Sequence, residues 1–178
     1  MYKLNFTAIL LLIVAYSSYA QKSFVENGKL NGVMPLDDAG NVAYVVVEQA
    51  DGVKKDELYK RARGWFSKNY NSPKDVLQLT DPQTGEVSGR GVFDFTSKIA
   101  RVKVGGELDH TIQVELKDGR YRITLSKVIL NHEPIERYKM PLIGTTKNNY
   151  TQLYTTLDQQ LRTLIASLQK ALATSNDF

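Results

Sequence analysis

Three arginines are the side chains of this sequence best suited to hold a ligand. Arg90, Arg120 and Arg122 stand in strand-like stretches, at positions whose parity sets them opposite the apolar residues around them. A guanidinium presents a planar fork of donors that matches a carboxylate or a phosphate. Three of them on the open face of a curved sheet could hold a small anionic group by bidentate bonds. The competing reading is a soluble surface, with Arg122 already engaged by Glu115 across a hairpin. Other chemistry is sparse. Histidine is the side chain whose ordinary pKa lies nearest neutrality, and the chain has two, His110 and His132. His110 sits on an apolar face with no nucleophile near it in the pattern, which favours a hydrogen-bonded structural role. His132 and Glu133 are adjacent, and neighbours in sequence rarely aim at one metal. No His-Glu-x-x-His, phosphate-binding glycine loop or nucleophile elbow occurs. Asp37, Asp38, Asp56 and Glu57 fall at turns and a helix start, where capping and the helix dipole account for them. With no cysteine in the chain, disulfides, a thiol nucleophile and thiolate metal sites are excluded. No catalytic residue, no metal and no cofactor is expected.

The arginines need a scaffold, and Glu107 to Leu130 supplies it as a long β-hairpin closed by Asp118-Gly119. Folding about that dipeptide sets Leu116 opposite Tyr121, Val114 opposite Ile123 and Ile112 opposite Leu125. The other face pairs Glu115 with Arg122, Gln113 with Thr124 and Thr111 with Ser126. A slip of one residue would turn every apolar side chain to water, so the register is well specified. His110 then falls on the apolar face beside Lys127.

Ahead of the hairpin, residues 21–33 are polar and rich in Gly and Asn, and read as a mobile lead-in. Pro35 to Gly40 is a turn. Val42 to Val47, apolar on both faces, suits a strand covered by neighbours. Lys55 to Tyr70 is a helix whose Leu58, Ala62, Trp65 and Phe66 form one stripe. Lys54 is a poor cap, since its side chain cannot accept a backbone N–H. Asn71-Ser72-Pro73 ends the helix. Strands follow at Asp75 to Thr80 and Glu86 to Thr96. Gly89 and Gly91 share a face of the latter, giving either a seat for Trp65 or a ligand groove. Residues 131–148 are a packed connection. From Asn149 to residue 173 runs a second helix, whose Tyr150, Tyr154, Leu157, Leu161, Leu164, Leu168 and Ala171 trace a coiled-coil-like seam. Leu153, Ile165 and Leu172 widen that seam and favour packing on a sheet. Residues 174–178 are a tail.

The first 20 residues are a signal peptide by pattern. Lys3 is their only charge, Phe6 to Ala15 is an apolar run broken by Thr7, and Ser18-Tyr19-Ala20 puts small residues at −3 and −1 of a cut before Gln21. An apolar run that short cannot span a bilayer, which takes roughly 20 residues. Of 23 basic residues only Lys3 falls in the leader, so 22 face 19 acids and the mature charge is +3. That balance is too mild to imply a nucleic-acid partner. The 178-residue length suits one domain with its own core.

Lys55-Asp56-Glu57-Leu58-Tyr59 with Arg61-Ala62 and Trp65-Phe66, together with Lys117-Asp118-Gly119-Arg120-Tyr121-Arg122, resembles a family of exported bacterial proteins carrying a domain of unknown function with a TATA-binding-protein-like fold. The resemblance covers residues 34–130 and the leader; Lys54 departs from the small hydroxyl residue expected there. It implies an α+β fold in the order β-α-β-β-β-β-α, a curved antiparallel sheet of about five strands with two helices on one face. It implies no catalytic residue and no ligand. DNA binding by this fold elsewhere does not carry over, because fold is not function. The expectation is an exported, periplasmic or extracellular, monomeric and non-enzymatic module. It would bind or scaffold an envelope protein or a small anionic ligand, with no transmembrane segment in the mature chain. The alternatives are a structural protein self-associating through its C-terminal helix and, third, an unrecognised hydrolase.

Overall fold

The computed structural model describes residues 25–70, 76–99, 101–140 and 146–174. The leader, the helix stop at Asn71-Ser72-Pro73 and the last four residues lie outside them. The elements are β1 (Val25–Glu26), β2 (Lys29–Leu30), β3 (Met34–Pro35), β4 (Tyr44–Gln49), α1 (Lys55–Asn69), β5 (Leu77–Asp81), β6 (Glu86–Ile99), β7 (Val102–Lys117), β8 (Arg120–Leu130), β9 (Glu133–Pro134) and α2 (Lys147–Ala173). Strands β4, β8, β7, β6 and β5 form one antiparallel sheet in that order. The short β9 pairs with the end of β8 as its sixth strand. Both helices contact β6. They join Ile112, Val114, Ile123 and Leu125 on one sheet face in a single buried core. The opposite face is open.

The β7–β8 hairpin has the register its alternation predicts, with Leu116↔Tyr121, Val114↔Ile123 and Glu115↔Arg122 directly opposed. The prediction fails at its open end. Pairing steps from Thr111↔Ser126 to Asp109↔Ile129, so Lys127 and Val128 together face His110. This is a β-bulge, with Lys127 at φ 52°. Lys127 is turned to solvent while Val128 is buried against the core.

Two further differences have clear causes. The supposed mobile lead-in contains strands from Val25 onward, in a small sheet β1-β2-β3. Asn27-Gly28 and Asn31-Gly32 all take positive φ, the geometry that tight hairpin turns demand. Leu30 and Met34 are buried, and Asn31 Nδ2 donates to the Lys147 carbonyl (3.2 Å) and to Thr151 Oγ1 of α2. Strand β4, expected to be covered on both sides, is instead the sheet's edge, and Val45 and Val47 are exposed.

Helix α1 starts without a cap from its own chain neighbour, since Lys54 makes no side-chain capping bond. The hairpin turn supplies it from a distance: Asp118 Oδ1 accepts the Lys55 N–H at 2.7 Å. Two backbone bonds fasten the same turn, from Ala50 N–H to the Gly119 carbonyl (2.7 Å) and from Gly119 N–H to the Val53 carbonyl (2.9 Å). The glycine seat on β6 is filled, though not by Trp65. A Cβ on Gly89 would lie 2.8 Å from the Phe66 ring. One on Gly91 would run into the Tyr70 ring and lie 2.7 Å from His110. Trp65 is buried against α2, its Nε1 donating to Ser167 Oγ at 2.9 Å.

Helix α2 begins two residues before the expected start, with Thr146 Oγ1 accepting the Asn149 N–H at 3.3 Å. Leu153, Leu157, Leu161, Leu168 and Leu172 are all fully buried, so the apolar stripe is consumed by this chain's own core. At its far end Arg61 Nη1 donates to the Leu172 carbonyl (2.8 Å), satisfying a helix-terminal acceptor. The connection 131–148 packs as expected where it is described, through Ile135, Tyr138 and Met140.

Candidate functional site

Strand parity carries Val47, Glu115, Lys117, Arg120 and Arg122 onto the open sheet face, on three adjacent strands beside the hairpin turn. With Tyr121 they line a recess of about 160 Å³. Arg122 Nη1 donates to Glu115 Oε2 at 3.1 Å, and among the described residues the rest of its fork makes no other bond. Arg120 and Lys117 have no ion-pair or hydrogen-bond partner among the described residues, yet they are directly opposed across the hairpin. Like charges in that position repel. Asp118 stands between them in sequence, but its carboxylate is held by the Lys55 N–H, which lowers its pKa, and it faces Lys54 at 3.8 Å. The local balance is therefore three cations against Glu115, which itself faces Glu86 across the β6–β7 ladder.

Arg90 does not join this group. It lies on β6, two strands from Arg122 and near the bulged end of the hairpin, and its guanidinium holds the buried Asp109 carboxylate at 2.9 and 2.6 Å. Of the three arginines singled out from sequence, Arg120 and Arg122 converge and Arg90 is separate. Nothing in the sequence pattern points to Val47 as a site residue, while Lys117 opposite Arg120 is implied by a two-residue turn at Asp118-Gly119.

The titratable groups elsewhere are structural in setting. His110 is wholly buried, and its Nε2 sits 2.8 Å from the Tyr70 hydroxyl, beneath Gly91 and Phe93. Burial pushes its pKa down to about 4, against a smaller opposing pull from the Leu108 backbone and Asp109. Burial likewise drives the Tyr70 hydroxyl up. His132 lies exposed in a turn at φ 67°. Among the described residues no cluster of His, Asp and Glu is arranged to hold a metal ion. No helix among them is long and apolar enough to cross a membrane.

Residues 44–130, from the first residue of β4 to the last of β8, match the family model described as a domain of unknown function (DUF4468) with TBP-like fold. Residues 44–130 thus resemble a DUF4468 domain. The match takes in α1, the whole hairpin and the basic recess. Two solved structures share the fold. A DUF4468 family protein from Bacteroides ovatus superposes with a TM-score of 0.63 at 16% identity, covering 83% of this chain and 94% of its own. A TBP-like protein from Parabacteroides distasonis does so at 0.64 and 14% identity, covering 80% and 99%. At such identities the likeness speaks for the fold alone. No curated protein matches the sequence. The chain is thus an α+β unit with a mostly antiparallel sheet and a TBP-like fold, and β1–β3, β9 and α2 lie outside the residues matched to DUF4468.

Proposed function

We propose that this chain is an exported, monomeric, non-enzymatic binding module of the cell envelope, and that its open-face recess takes an anionic group. The observation that carries this is the uncompensated pair Lys117 and Arg120, opposed across the hairpin with Arg122 beside them. A bound carboxylate, sulfate or phosphate would relieve their repulsion and use the free fork of Arg122. Tyr121 borders the recess by its backbone, while its side chain is turned to the buried face beside Leu116 and its OH donates to Glu48 at 2.6 Å. The side chains that strand parity places on the recess face are the cations, Glu115 and Val47, a set suited to holding an anion. Self-association through α2 loses its basis, because the stripe that would form the seam is already buried at Leu157, Leu161 and Leu168. The export part of the proposal rests on the leader pattern of residues 1–20.

Thermal unfolding in sulfate and in chloride at equal ionic strength tests the recess. A ligand that binds only the folded state raises the midpoint by mass action. Wild type should gain stability in sulfate, and Lys117→Gln/Arg120→Gln should lose that gain. An equal gain in the double variant would place the anion elsewhere and refute the assignment.

A further inference from the structure

Strand β4 is a free edge, and α2 runs beside it as a wall. Ala50 N–H points into the sheet toward Gly119, whereas Ala43 N–H points away toward the Pro35 carbonyl. Alternation along the strand then turns the N–H and C=O of Val45, Val47 and Gln49 outward. No described residue pairs with them. Their side chains add apolar surface on the open face, with Val45 61% and Val47 58% exposed. The wall is positioned by contacts at both ends of the strand: Tyr44 OH donates to Asp158 (2.8 Å), and Gln169 donates to Glu48. Asp158 to Gln169 spans roughly 16 Å of helix and Tyr44 to Glu48 roughly 13 Å of strand, so the two run alongside each other. Between them opens a groove of about 330 Å³, lined by Ala43, Val45, Arg162, Ile165 and Gln169 and closed at one end by Pro35.

An edge with unpaired backbone groups beside a helix is the geometry by which an extended peptide joins a sheet as an extra strand. Charge says what kind of peptide. Arg162 lies in the groove wall, over the Tyr44 ring, with its Nε on Asp158 and its side chain half exposed. On the other face Arg120 and Arg122 sit one strand inward from Gln49 and Val47. Long side chains can meet over the valine from two strands away, a span of roughly 9.6 Å. An added strand would thus find Arg120 and Arg122 on its open face, while on the wall face Arg162 is already paired with Asp158 and Glu48 lies at the far end, so the preference for acid is set on the open face. A second copy of this chain offers only Val45, Val47 and Gln49 on the open face of its own β4, with no carboxylate to answer Arg120.

We propose that the β4 edge and the α2 wall form a docking groove for an extended, acidic segment of a partner protein, added to the sheet as a strand. Its charge preference rests on the anion-binding reading of the recess; the strand addition does not.

The test uses the mature chain and three probes: a capped peptide alternating Glu and Val, its counterpart with Lys for Glu, and inorganic phosphate. The acidic peptide should bind and slow hydrogen exchange at the Val45, Val47 and Gln49 amides. The lysine peptide should bind weaker by about tenfold or more, as electrostatic complementarity predicts. Val47→Pro removes an outward donor, a replacement that edge strands tolerate, and should abolish binding while circular dichroism stays native. Val45→Glu leaves the backbone intact and should weaken the acidic peptide while strengthening the lysine one. Absence of protection at the three amides refutes the groove, and if phosphate still perturbs Arg120 then only the strand addition has failed. Equal binding of both peptides with no response to phosphate overturns the acidic preference and the recess together. A wild-type dimer that Val47→Pro dissolves would give the edge to a second copy and overturn the proposal.

Discussion

Lys117 and Arg120 show how a single residue pair can point to a ligand. Their opposition costs stability in the free protein, so Lys117→Glu should raise the unfolding midpoint by converting repulsion to attraction, while removing the response to sulfate. A lower midpoint would mean that the two side chains already avoid each other. His110 shows the opposite case, a titratable group spent on the core. Its folded pKa of about 4 lies below the ordinary 6.5, so between those values the unfolded chain binds a proton that the native chain refuses. The stability tied to its neutral form is complete above about pH 6.5 and is lost as pH falls toward 4, at up to about 1.4 kcal/mol per unit. Urea unfolding at pH 7 and pH 5 should show the drop, and His110→Gln should flatten it. A slope unchanged in His110→Gln would place the pH dependence elsewhere. Gly91 belongs to the same cluster: Gly91→Ala forces Tyr70 and His110 apart and should cost about 1–3 kcal/mol, as overpacking does.

At the scale of elements, the hairpin turn and helix α1 depend on each other. Asp118→Ala should lower the melting midpoint through loss of the Lys55 cap, whereas Asp118→Asn, which still offers an acceptor, should keep more of it. Leu161→Glu should unfold the domain, since it buries an unpaired charge in the core. A well-folded variant by circular dichroism would contradict the packing of α2. What sequence reveals and hides at this scale has physical reasons. The β7–β8 register is readable because a one-residue slip would expose Val114, Ile123 and Leu125, and the Asp118-Gly119 turn fixes which of the remaining registers forms. The bulge at Lys127 is not, since one extra residue leaves the alternation on either side intact. Asn27-Gly28 and Asn31-Gly32 are a hairpin signal that composition alone makes look like a flexible stretch, because the strands they join are two residues long and show no period. The edge position of β4 is a matter of strand order, which Val45, Val46 and Val47 do not encode. One hairpin strand carries both Arg120 and Arg122, whereas Arg90 shares only their face, because parity gives a face but no distance.

At the scale of the whole molecule, the proposed function needs both an address and a surface. Expressed in a suitable bacterium, exported protein should begin at Gln21. N-terminal mass spectrometry finding Met1 retained in exported material would remove the envelope from the proposal. The surface is the sheet face that the helices leave open, where Lys117, Arg120, Arg122 and the bare edge at Val45 and Val47 lie together. Backbone-amide NMR of the mature chain during a phosphate titration tests that claim most directly. The account predicts saturable shifts confined to residues around Val47, Glu115, Lys117, Arg120 and Arg122, absent in Lys117→Gln/Arg120→Gln. Shifts that never saturate, or that centre on Arg90 or another surface, would contradict it.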